Sequence, residues 1–142
     1  MGVGLCLGKQ DWEIGAVDFL TTFFSTVSYH LEPEGWGTRY PFLMRHLYQG
    51  RLDAMNAARA LREVLEIRER LKAFKPDQLV WRVDQPELKL PWMIDPMRVP
   101  LPDDTTLADY FMTSNGKDLF DVLCECLHAL EERGGVLKIV PY

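Results

Sequence analysis

The most regular run of apolar and polar positions lies between Val17 and Leu31. Leu20, Phe23, Phe24, Val27 and Leu31 follow the i, i+3, i+4, i+7, i+11 spacing of one helix face. The other side is Thr21, Thr22, Ser25, Thr26 and Ser28. Threonine and aromatic residues lose rotamer freedom in a helix, so packing of the aromatic face has to hold this one. Pro33 to Gly37 ends it. A second, short helix is predicted between Pro41, whose missing N–H costs nothing in a first turn, and Gly50, which fits the C-terminal cap. A third runs from an N-cap at Asp53 to about Ala73, with Leu61, Val64, Leu65 and Leu71 as its buried stripe. Its outer face sets Arg59 with Glu63, Arg62 with Glu66 and Glu66 with Arg70 at i, i+4, pairs worth about 0.3 kcal/mol each.

Val3 to Leu7 reads as a short strand, and Gly8 to Gly15 as a charged turn. Leu79 to Val83 alternates as a strand, with Leu79, Trp81 and Val83 on one face. Leu107 to Met112 fits either a short helix or a strand. Thr113 to Gly116 is a turn in which Ser114 or Asn115 caps the last helix. That helix carries Leu119, Phe120, Leu123, Leu127 and Leu130 inward and stops at Gly134-Gly135. Val136 to Val140 closes the chain as a strand. The order is β-α-α-α-β-loop-α-β. It predicts an α+β fold, with about four helices packed on a small sheet of about three strands.

Length and composition fit a single domain over 1–142. With 47% hydrophobic residues a core forms without disulfides or metal. No apolar run approaches the ~20 residues that span a bilayer. The start, MGVGLCLGKQDW, lacks the basic and apolar regions of a signal peptide. Cys6, Cys124 and Cys126 form an odd set without CxxC spacing, which points to reduced, structural thiols and a cytoplasmic protein.

Charge changes the picture more. The net charge is −5, and residues 84–109 alone carry −4, from Asp84, Glu87, Asp95, Asp103, Asp104 and Asp109 against Lys89 and Arg98. This balance argues against direct nucleic-acid binding, which needs basic groups to displace counterions, and suits a basic partner. The same region, 85–104, holds five of the nine prolines. A long connection stiffened in this way is often a functional loop.

Catalytic patterns are weak throughout. Ser114-Asn115-Gly116-Lys117-Asp118 lacks phosphate-loop spacing, and Asp118 would repel a phosphate. His30, His46 and His128 stand at spacings that build no zinc site. Cys126 and His128, two apart on a helix, diverge too far to form a thiolate–imidazole pair. Asp103, Asp104 and Asp109 could supply carboxylates for metal-assisted hydrolysis, but no companion motif accompanies them. No catalytic residue, resident metal or cofactor is therefore predicted. Trp36, between two glycines, and Trp92, after Pro91, are large loop aromatics that suit either lids over the core or interface anchors.

Several segments together resemble the immunity protein 70 family of bacterial polymorphic toxin systems. They are FLTTFFSTVSYHLEPEGWGTRYPFLMRHLYQG at 19–50, LKAFKPDQLVWRVD at 71–84, PW at 91–92 and DYFMTSNGKDLFDVL at 109–123. Their order and spacing agree over nearly the whole chain, whereas Met93 to Arg98 departs from the pattern. The resemblance implies a small intracellular protein that binds and neutralises a cognate toxin domain, and it brings no catalytic residues. On that reading the expected toxin contacts are Trp92, Asp95, Asp103, Asp104 and Asp109, with Trp36 beside them. Many toxin domains cleave nucleic acids through basic clefts, which a cluster of carboxylates could occupy. Two other readings stay open at this point. One is a binding module or adaptor in another regulatory system, and the other a small enzyme with an acidic metal site.

Overall fold

A computed structural model describes residues 2–87 and 104–141. Strands β1 (Gly2–Leu7) and β2 (Gln10–Ala16) form a hairpin that leads into helix α1 (Val17–Leu31). A π-helix (Phe42–Leu47), the two-residue strand β3 (Leu52–Asp53) and a 3-10 turn (Ala54–Asn56) follow. Then come α2 (Ala57–Leu71), a 3-10 turn (Pro76–Gln78), the one-turn α3 (Leu107–Tyr110), α4 (Leu119–Arg133) and β4 (Val136–Pro141). The class is α+β as expected. Among the described residues the sheet has four antiparallel strands rather than three, in the order β2-β1-β4-β3.

Two of these strands were not anticipated. The expected charged turn at 8–15 is largely β2: only Gly8 and Lys9 turn, and Gly8 takes a φ of 60°. Trp12 and Ile14 point into the core while Asp11 and Glu13 stay exposed, so the strand alternates beneath its charges. A bulge beside Val3 and Gly4 leaves Ile14 without a partner on β1, and its carbonyl accepts from Ser114 N at 2.9 Å instead. β3 pairs only Leu52 with Leu137 and Asp53 with Val136. The strand expected at 79–83 does not form. Leu79 and Val80 are both buried, which breaks the alternation, and the backbone of Val80 is satisfied by α1 rather than by the sheet.

Helix α1 lies at the centre. Its apolar stripe is buried as predicted, but so is the supposed polar side: seven consecutive residues, Thr22 to Ser28, are inaccessible. Phe23 is enclosed by Phe24, Phe111 and Phe120, edge-on at 5.1–5.4 Å. Two of the buried hydroxyls have clear partners, as burial favours. Thr22 Oγ1 donates to Asp18 O at 2.7 Å. Thr26 Oγ1 donates to Val80 O at 3.3 Å and accepts from Val80 N at 3.0 Å.

The third helix starts later than expected, at Ala57 instead of Asp53, because Leu52 and Asp53 are taken into the sheet. Its buried stripe is Ala57, Ala60, Val64, Ile67 and Leu71, and Leu65 faces solvent. The i, i+4 pair Glu66–Arg70 forms at 3.7 Å. Helix α4 is capped by Asp118, which accepts from Phe120 N and Asp121 N, and not by Ser114 or Asn115. The turn runs longer than predicted because Met112 bridges to Asp118 and Thr113 N donates to Lys117 O. Arg68 then ties α2 to α4 through Asp121 at 3.1 Å and lies over the Phe120 ring.

Two substitutions test this core. Phe23→Ala is expected to destabilise the fold by about 3–5 kcal/mol, as truncation of a fully buried Phe does. Thr26→Val keeps the volume but strands a buried backbone N–H, and about 1–3 kcal/mol is expected. Urea unfolding midpoints of both variants against the parent protein measure these losses.

Candidate functional site

Two regions carry the residues that the sequence singled out: the connection after α1, and the two ends of the acidic segment. The first is organised by carboxylates. Glu32, the residue that caps α1, is buried although acidic. Its two oxygens accept from the backbone N–H groups of Gly37, Arg39 and Tyr40, each at 3.0 Å. A buried carboxylate is tolerated only with such bonds, and here they fix the whole 33–40 turn. Glu63 on α2 does the same for the next segment, accepting from Leu43 N at 2.8 Å and Phe42 N at 3.3 Å at the start of the π-helix. Burial, aided by the charges of Glu32 and Glu66, raises the Glu63 pKa to about 7 against the pull of those two bonds. Glu66 completes the group by pairing with Arg39 at 3.5 Å as well as with Arg70. Tyr40 Oη is buried and makes no hydrogen bond of good geometry, although the Glu66 carboxylate stands beside it. Burial first, then that carboxylate, hold the phenol protonated above its usual range.

Trp36 sits in this carboxylate-held turn. Its indole N–H donates to Met44 O at 2.7 Å and its ring leans on Tyr48, with centroids 4.9 Å apart. It packs against the core and remains partly exposed, so it is a lid with an accessible edge. Gly37 beside it has a φ of 78°, and a Cβ there would strike the Arg45 side chain. Only glycine lets Arg45 lie across the turn, where its Nη2 reaches Trp36 O at 3.2 Å.

The second region is the base of the acidic segment. On the N-terminal side, His30 Nε2 meets Gln78 O at 2.7 Å and Thr26 holds Val80. On the C-terminal side, Leu107 N donates to Phe74 O at 2.9 Å, and the Phe74 ring lies 4.4 Å from His30. Both ends are thus tied close together, at the C-terminal half of α1 and the turn that follows α2. Asp104 and Asp109 are exposed there, Asp109 on α3 within reach of Thr106 Oγ1. Trp92, Asp95 and Asp103 lie outside the described residues.

Among the described residues no hydrogen bond, ion pair or ring contact joins Trp36 to Asp104 or Asp109. The two regions connect instead through a line of rings, Trp36–Tyr48–Phe24–Phe23–Phe111–Tyr110, with neighbouring centroids 4.8–5.6 Å apart. The sequence reading missed Glu32, Arg45 and Tyr48, and it set Glu63 in an outer-face pair with Arg59, whereas Glu63 turns to the backbone of the π-helix and Arg59 lies over Phe42. An acidic residue directly before a Pro-Glu-Gly turn was the one available signal, and its bonds to residues five to eight positions on are not a standard capping pattern.

Among the described residues no group of three or more His, Cys, Asp or Glu is placed to hold a metal ion. Burial raises the thiol pKa of Cys124 and Cys126, and the neighbouring Asp11 raises that of Cys6, so none has the lowered pKa of a nucleophile. The profile of the immunity protein 70 family matches residues 5–139, and the chain belongs to that family. No curated protein and no solved structure matches it. Among the described residues, no helix is long and apolar enough to cross a membrane.

Glu63 generates a pH prediction. Its pKa is raised in the fold, from 4.5 to about 7, so the folded state holds a proton that the unfolded chain releases earlier. Stability from this group is full below about 4.5 and falls as pH rises through about 7. Glu63→Gln keeps an acceptor for one of the two N–H groups and cannot ionise. The stability of this variant relative to the parent is expected to improve from pH 5 to about pH 7 and to level off above that, as read from urea midpoints. A constant difference across that range would show that Glu63 does not titrate there.

Proposed function

We propose that this chain is an immunity protein that binds a cognate bacterial toxin domain and neutralises it by forming a stoichiometric complex, in the cytoplasm of the cell that makes the toxin. Membership of the immunity protein 70 family over residues 5–139 carries the reading. The binding surface is the loop 85–104 together with the start of the next segment, within the acidic stretch 84–109. Asp104 and Asp109 stand exposed at its described end, and Trp92, Asp95 and Asp103 belong to the same stretch of sequence. Five prolines in 85–104 stiffen the sequence and so lower the entropy cost of binding. Its net charge of −4 complements a basic cleft of the kind that nucleic-acid-cleaving toxins present, with carboxylates standing where phosphates would lie. The protein acts by occupancy, with no turnover and no cofactor.

The purified product of the adjacent upstream reading frame is the natural probe. Titrated with this protein, its toxic activity is expected to fall linearly to an end point at a fixed molar ratio. Inactivation by substoichiometric amounts would refute the proposal. Asp104→Asn combined with Asp109→Asn is expected to slow association several-fold and to flatten its dependence on salt, with the unfolding midpoint unchanged. Stopped-flow association rates at low and high ionic strength make the comparison.

A further inference from the structure

The acidic segment leaves a second exposed surface unexplained. The outward side of the π-helix and the turn after it present Arg45, His46 and Tyr48, all exposed, with Trp36 beside Tyr48. Phe42, half-buried, lies 5.2 Å from the His46 ring and carries the Arg59 guanidinium over its face at 5.6 Å. Three properties set this patch apart. Its composition is that of an interface hot spot, in which Trp, Tyr and Arg dominate. Its charge is opposite to that of the acidic segment: residues 34–62 hold five arginines against Glu34 and Asp53. Among the described residues Arg45 and Arg59 pair with no carboxylate; they rest on a carbonyl and on a ring. Its backbone is also fixed in advance. Glu32 and Glu63 between them bond five N–H groups from Gly37 to Leu43, and Trp36 is locked to Met44 O. A surface ordered before contact gives up little entropy on binding.

We infer that this arginine–aromatic patch is a second docking face for the same toxin domain, taking an acidic surface with an apolar side chain at its centre. The inference rests on the immunity reading above and adds a partner chemistry to it. The apolar side chain seats against Trp36 and Tyr48, while Arg45 and Arg59 meet the surrounding carboxylates. One negative and one positive face on the same molecule also specify orientation, because a toxin turned the wrong way brings like charges together.

The test measures binding to the immobilised product of the adjacent upstream reading frame by surface plasmon resonance. Arg45→Glu with Arg59→Glu is expected to raise Kd at least about tenfold, and Tyr48→Ala to speed dissociation by about tenfold. Lys9→Glu, a single reversal of the same kind on the β1–β2 turn, is expected to leave Kd within about twofold. Wild-type Kd in both patch variants, alongside weakened binding by Asp104→Asn with Asp109→Asn, would overturn this inference and leave the toxin reading standing. An equal loss in Lys9→Glu would assign the effect to net charge and overturn it too. No binding by the parent protein would remove both. Unfolding midpoints confirm that the variants fold. A benzophenone side chain placed at the exposed Gln49 supplies a readout free of that concern, since it crosslinks to the toxin only if this face is covered.

Discussion

The structure depends on a helix that has no free side in its middle two turns. From Thr22 to Ser28 every residue of α1 is buried, so its hydroxyls must find partners inside the protein. Thr26 finds one 54 residues away, giving Val80 both an acceptor and a donor. This exchange replaces the two hydrogen bonds that a neighbouring strand would have made. It lets an irregular segment run through the interior without stranding its backbone, and it sets the point from which the acidic segment departs. The aromatic half of the same helix holds Phe111 and Phe120, and through them α3 and α4.

Carboxylates in this protein do two different things. Glu32 and Glu63 turn inward and spend their charge on backbone N–H groups, which fixes the irregular 33–41 turn and the start of the π-helix. The acids around Asp104 and Asp109 face water. The first group shapes the molecule; the second is free to meet a partner. A net charge summed along the sequence mixes the two and hides that the exposed character of residues 34–62 is basic.

What could be read from the sequence was local. The 3.6-residue spacing identified α1 and α4, and the Pro41 and Gly50 positions bracketed the π-helix, although its wider winding has no signature in residue order. The polar side of α1 was misjudged because serine and threonine look alike whether they face water or a buried carbonyl. β2 was hidden by Lys9, Asp11 and Glu13, even though Trp12 and Ile14 alternate between them. A strand of two residues such as β3 is too short to show any period. Leu79, Trp81 and Val83 had the right alternation, but the intervening Val80 is as buried as its neighbour, which no pattern of that segment alone could show. Of the candidate contact residues, the exposure of Asp104 and Asp109 was legible from their own charge. The packing of Trp36 on the core is one of the two roles expected of it, but its footing was not legible, because it depends on Met44 and Tyr48 being wound beneath it.

The strand order has a consequence for how the chain acquires its shape. β1 sits between β2 and β4, with Val3 opposite Pro141. While synthesis is under way, residues 2–16 can form only a two-stranded hairpin, which is marginal in water. The sheet is complete only after Val136–Pro141 has been made and has crossed back to β1, and β3 has no partner until then. Contacts between strands this far apart in sequence form slowly, because the loop entropy is lost before any pairing compensates for it. The interval between translation and a finished sheet is therefore set by the last strand to arrive.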